Sequence, residues 1–152
     1  MKKFRFKLET LLDVTRRKKE DAERLFAEAT RKLEEERARL AIFLQEMQKV
    51  QAEYAEQTSE GKRISVGKVM TFTDFVNWKR EQIERQQHII LEAQNERQKR
   101  LKELLALMSK LKSIEQLKEK RLEQYKEELL LEESKMLDEI GLQLYMRQGA
   151  GA

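Results

Sequence analysis

The sequence contains no proline in 152 residues. Proline is concentrated in turns and loops, because its ring fixes φ and removes a backbone donor, so a chain that never uses it needs few of either. Long uninterrupted helix is the expectation. Composition agrees: 39% of residues are charged and 39% hydrophobic, and Ala, Glu, Lys, Leu and Arg dominate. That balance marks coiled coils and extended helices and leaves little for a spherical core.

The periodicity is that of a coiled coil. Alternate steps of four and three from Ala22 reach Phe26, Ala29, Leu33, Glu36, Leu40, Phe43, Met47, Val50 and Tyr54, so nine of ten seam positions are apolar. Upstream, the register passes through Thr15 and Lys19 before reaching Leu8 and Leu12, which interrupts the seam. In the second half one register takes Phe72, Val76, Ile83, Ile90, Ala93, Leu104, Leu107, Leu111 and Ile114, with Lys79, Gln86, Arg97 and Arg100 as polar exceptions. Beyond Ile114 an extra step of four, through Lys118, is needed to reach Leu122, Tyr125, Leu129 and Met136, a stutter that unwinds a left-handed supercoil locally.

Only the stretch from Thr58 to Met70, with two glycines and two serines, reads as a connection. Gly61 suits a left-handed residue ending the first helix, and Thr71-Phe-Thr-Asp74 matches a capping box opening the second. The expected architecture is all-α, a single antiparallel hairpin. Its helices cover about 7–57 and about 71–146, with a connection over about 58–70 and a mobile tail at 147–152. At 1.5 Å per residue the helices would be about 75 and about 110 Å long. Leu8 then falls opposite Gln116 to Arg121, and much of the second helix beyond Leu122 lacks an intramolecular partner. Cover by a partner protein, by the amino-terminal segment or by a second copy are the alternatives.

Charge is unevenly distributed at the ends. Residues 1–20 carry eight basic groups against three acids, a net of +5, and residues 123–139 carry seven acids against two lysines, a net of −5. Elsewhere the signs alternate, as on a solvated helical surface. A nucleic-acid role would need basic residues on one face with aromatics to stack bases, and neither pattern is present. No apolar run approaches the ~20 residues that cross a bilayer, and no apolar signal core follows the basic amino terminus, so a cytoplasmic chain without direct membrane insertion is expected.

Residue types exclude most chemistry. Without cysteine and with His88 as the single histidine there is no thiolate or multi-histidine metal set. Glu34-Glu-Glu36 and Glu132-Glu133 project in different directions on a helix and cannot converge on one cation. There is no phosphate-binding glycine loop, so neither a cofactor nor catalysis is expected. Met and aromatic residues gather around the connection instead: Phe43, Met47, Tyr54, Met70, Phe72, Phe75 and Trp78. Phe75 and Trp78 are a typical aromatic anchor for a partner.

The opening Phe4-Arg-Phe-Lys-Leu8-Glu-Thr-Leu-Leu12, the basic run leading to Glu20-Asp-Ala22, Phe75-Val-Asn-Trp78 and the late Glu133-Ser-Lys-Met-Leu-Asp-Glu139 resemble the flagellar FliJ family of export components. The resemblance implies an antiparallel two-stranded coiled coil, cytoplasmic and peripheral to the inner face of the cell membrane, serving type III protein export and flagellum assembly. It implies a stalk that enters a hexameric export ATPase ring, contacts the transmembrane export-gate protein near its turn and handles export chaperones. The implied ring-facing residues at the terminal end are Phe4, Phe6, Leu8, Leu11, Leu12, Arg16, Tyr125, Leu129, Met136 and Ile140. The implied gate-facing residues at the turn end are Met47, Val50, Tyr54, Phe75, Trp78 and Ile83. A self-associating structural coiled coil and the equivalent stalk of a virulence type III secretion system remain the alternatives.

Overall fold

The computed structural model describes residues 3–59 and 61–150 and consists of two helices, α1 (Glu9–Gln57) and α2 (Val66–Ala150). Among the described residues there is no strand. The chain divides into two units: a terminal unit of Met1–Lys19 with Ala106–Ala152, and a turn unit of Glu20–Leu105. In each the helices pair antiparallel, as the all-α hairpin expectation requires. In the turn unit Glu46 faces Lys79, Glu36 faces Gln86 and Thr30 faces Arg97. In the terminal unit Glu9 faces Lys118, inside the span expected opposite Leu8, and Arg16 faces Glu115.

In the connection Gly61 has φ +84°, and the Lys62 N–H donates to the Ser59 carbonyl at 3.2 Å. A left-handed residue followed by a return bond is a tight turn, and glycine occupies that φ without steric cost. The last carbonyls of α1 find local donors: the Thr58 hydroxyl on Tyr54 at 2.9 Å, the Ser59 hydroxyl on Glu56 at 2.9 Å and the Lys62 ammonium on Glu56 at 3.1 Å.

The start of α2 corrects the expected boundary. Ser65 is its N-cap, with Oγ accepting from the Lys68 N–H at 3.2 Å, so the helix begins at Val66 and not at Thr71. The expected capping box at Thr71–Asp74 is absent: the Thr71 hydroxyl donates to the Gly67 carbonyl at 2.8 Å, inside a helix already under way. Ser65 escapes a capping-box pattern because its third residue onward is a lysine. At the other end α2 continues through Ala150, where a tail from 147 was expected; residues 151 and 152 lie outside the described residues.

Candidate functional site

In the terminal unit Phe6, Leu12, Leu111 and Ile114 form a buried cluster, with Phe4, Leu8 and Leu117 packed against it. Beside it Thr15 is only 1% exposed, so the first polar interruption of the α1 seam is enclosed in the core. Two of the expected ring-facing residues, Phe6 and Leu12, lie buried in this cluster. Leu11 and Arg16 are exposed, and the Arg16 guanidinium lies 3.8 Å from both Asp13 and Glu115.

The non-helical segment ahead of α1 runs against α2. Phe4 packs on Tyr125 with ring centroids 5.6 Å apart, and a groove of about 520 Å³ is lined by Lys3, Phe4, Arg5, Tyr125, Glu128, Leu129 and Glu132. Tyr125 and Leu129 are half-buried as a result. Of the alternatives for the stretch of α2 beyond Leu122, cover by the amino-terminal segment holds as far as Leu129, through aromatic contact with basic residues set beside acidic ones.

Beyond that point the helix is bare. Leu130, Leu131, Met136, Leu137, Ile140, Leu142, Leu144, Tyr145 and Met146 are each between 50% and 75% exposed. At 100° per residue they are spread around the circumference. A helix apolar on several sides suits enclosure more than contact along one face.

The turn unit is built differently, with polar side chains at the centre of its seam. Gln86 is 3% exposed and donates through Nε2 to the Glu36 carboxylate at 2.5 Å and to the Glu36 carbonyl at 2.9 Å. Arg97 donates to the Thr30 hydroxyl at 3.0 Å, with its guanidinium 5.0 Å from the Phe26 ring. Arg100 is held by Glu103 at 3.2 Å and Glu96 at 2.9 Å, and the hydrogen bond to Glu103 is the largest cause raising its pKa above the ordinary arginine value. Thus of the polar seam residues in this unit Gln86 and Arg97 meet partners on α1, as buried polar groups must, and Arg100 is held by carboxylates of its own helix.

Nearer the connection Tyr54 and Phe72 stack face to face, with centroids 3.8 Å apart and ring planes 3° from parallel. A groove of about 570 Å³ beside them is lined by Val50, Glu53, Tyr54, Gln57, Ser65, Gly67, Lys68, Thr71, Phe72 and Phe75. Of the expected gate-facing residues it gathers Val50, Tyr54 and Phe75. Met47 and Ile83 lie half-buried along the seam, outside that groove, and Trp78 is 51% exposed. Phe72 and Lys79 belong to this aromatic region but were not among the expected site residues. The signal for Lys79 was a lysine at a seam position with three aromatic residues in reach.

His88 is exposed, and among the described residues no cluster of His, Cys, Asp and Glu could hold a metal ion. Among the described residues no helix is long and apolar enough to cross a membrane. What the described residues offer is surface: a bare apolar helix in one unit and an aromatic groove in the other. The fold they stand on is a pair of long antiparallel helices.

The family model described as Flagellar FliJ protein matches residues 4–150, and the chain belongs to that family. It is thereby a component of type III protein export, in a family of structural, non-enzymatic proteins. Among solved structures the fold is similar to that of CT670 from Chlamydia trachomatis, titled a YscO homolog, with a TM-score of 0.71 at 21% identity, covering 99% of this chain and 100% of that one. No curated protein sequence matches the chain.

Proposed function

We infer that this protein is a stalk of the flagellar type III export apparatus, engaging a hexameric export ATPase ring through its terminal unit and the transmembrane export-gate protein through its turn unit. The carrying observation is the α2 segment from Leu130 to Met146, whose apolar side chains are exposed around the helix. A flat partner would cover one stripe of such a helix; the lumen of a ring covers all of it. Met136 and Ile140 are available for this contact, whereas Tyr125 and Leu129 become so only if the Phe4 segment moves. Phe6 and Leu12 support the unit from its core.

Binding energy from the stalk favours whichever ring state it binds more tightly, so the chemistry belongs to the ATPase and the protein biases its assembly or its conformational cycle. The turn unit presents Trp78 and the groove around Tyr54 and Phe75 to the gate. Export chaperones are the third class of partner, and attachment to these proteins holds the chain at the inner face of the cell membrane without insertion. The family match favours the flagellar system over a virulence system of the same fold.

The test is to add the full chain to the cognate export ATPase and follow hydrolysis and hexamer formation. Stimulation of either is expected, with loss in a Leu137→Glu/Ile140→Glu/Leu144→Glu variant whose helix content is unchanged. No effect of the wild-type chain on either quantity would sink the ring-engagement reading. Light scattering over a concentration series separates it from self-association, which predicts a mass that doubles and falls back in the same variant.

A further inference from the structure

Lys79 occupies a seam position of α2 where the heptad calls for an apolar residue, and it is 2% exposed. A buried ammonium in such a place is costly unless it is paired, and a hydrophobic residue of similar volume commonly serves stability as well or better. This one is surrounded. Its Nζ hydrogen-bonds to the Glu46 carboxylate on α1 and to the Gln82 side-chain oxygen at 3.1 Å. It also lies 4.9 Å from the Phe43 ring centroid, 5.3 Å from that of Trp78 and 6.0 Å from that of Phe75. The Phe75 and Trp78 rings are themselves 6.1 Å apart, tilted by 53°.

The geometry of this cluster is asymmetric in a telling way. Lys79 is enclosed, Phe43 and Phe75 are half-buried, and Trp78 is 51% exposed. Trp78 thus has little hydrophobic packing to hold its ring, while a fixed cation stands near its face. An ammonium attracts the negative face of an indole, the strongest ring partner among the aromatics, and the attraction is larger when the cation is out of water. Glu46 in turn anchors the cation from the opposite helix, so the orientation of the exposed ring depends on the two helices being paired in this register.

We propose that Lys79 is a positioning residue, which through Glu46 holds the exposed indole of Trp78 in the orientation presented to the export gate. The presentation to the gate rests on the function inferred for the turn unit; the orienting of Trp78 does not. A rigid aromatic anchor loses less side-chain freedom on association than a mobile one, so fixing the ring in advance strengthens binding. Stability and docking then separate at this residue: the cation contributes to presentation, and its aliphatic stem would serve the seam without it.

Trp78 is the only tryptophan, so its spectral signature is unambiguous. In Lys79→Met, with α-helical circular dichroism and thermal midpoint equal to wild type or higher, the tryptophan band of the near-ultraviolet circular dichroism should fall by about half or more as the ring loses its fixed partner. Binding to the cytoplasmic domain of the cognate gate protein should weaken about tenfold. Lys79→Arg, which keeps the charge, should retain most of both signals and serves as the comparison should the methionine variant fold poorly. An unchanged tryptophan band in Lys79→Met overturns the positioning role, as does a lost band with undiminished gate binding when Trp78→Ala abolishes that binding. If Trp78→Ala leaves gate binding intact while Lys79→Met loses the band, the gate reading of the turn unit fails and the orienting of Trp78 by Lys79 stands.

Discussion

The terminal and turn units are built from the same two helices, yet they are held by different means. In the terminal unit Phe6, Leu12, Leu111 and Ile114 enclose a small apolar core, closed by a non-helical segment that lays Phe4 on Tyr125. In the turn unit the seam alternates apolar positions such as Leu33, Val76, Ala93 and Leu104 with buried polar ones, Glu36, Gln86 and Lys79. Apolar contacts are non-directional and tolerate a shift of one helix along the other. A hydrogen-bonded pair such as Gln86 with Glu36 does not, because a slip strands both groups away from water. One unit is therefore secured chiefly by burial and the other is specified chiefly by register.

That contrast can be broken most forcefully at Leu12. It is 1% exposed in the cluster, and Leu12→Ala should cost about 3 kcal/mol in denaturant unfolding, through lost transfer energy and a cavity the neighbours only partly fill. Hydrogen exchange should place the loss in the terminal unit first, with residues around Glu36 and Gln86 less affected.

A polar seam should respond in the opposite sense to single and double changes. Gln86→Leu alone removes the cross-helix donor of the buried Glu36 carboxylate, leaving it the Arg39 guanidinium at 3.6 Å, and should destabilise by about 2 kcal/mol. Glu36→Leu/Gln86→Leu together should recover that loss or exceed wild type, because two apolar residues replace a satisfied polar pair. The gain should come with weaker specification of the pairing, visible in light scattering as higher-mass species absent from the wild type. A double variant as unstable as the single one would contradict register as the role of this pair.

The smallest effect sharpens the comparison at the beginning of α2. Ser65→Ala removes the acceptor for the Lys68 N–H and should cost about 1 kcal/mol, with faster amide exchange confined to the first turns of α2. The same loss spread into the terminal unit would mean that the two units unfold as one.

Much of this architecture could be read before any coordinates. The apolar steps from Ala22 to Tyr54 and from Phe72 to Ile114 identify the faces that meet, and Gly61 in its polar surroundings marks the turn. Folding about a turn near residue 64 puts Leu8 near Gln116 to Arg121, and the Glu9 contact with Lys118 lies within it. Less could be read of the site. The family resemblance set Phe6 and Leu12 among the contact residues, and nothing local opposed it, because an aromatic and leucine-rich amino terminus is equally suited to a partner or to a core. Lys79 looked like a flaw in the seam, because its neighbours Phe75 and Trp78 are visible locally but the convergence of Glu46 and Phe43 from α1 on its ammonium is not.

An all-helical hairpin with a glycine turn is written in the order of residues alone, since helix and heptad are local properties repeated every few residues and no proline interrupts them. Which seam residues are polar partners, that Phe4 covers Tyr125, and where along α2 the bare helix begins follow from how the helices pack. Those contacts join residues far apart in the chain: Lys79 lies 33 positions from Glu46, Gln86 lies 50 from Glu36 and Lys118 lies 109 from Glu9. A local pattern states that a side chain needs a partner; the paired helices determine which one it meets.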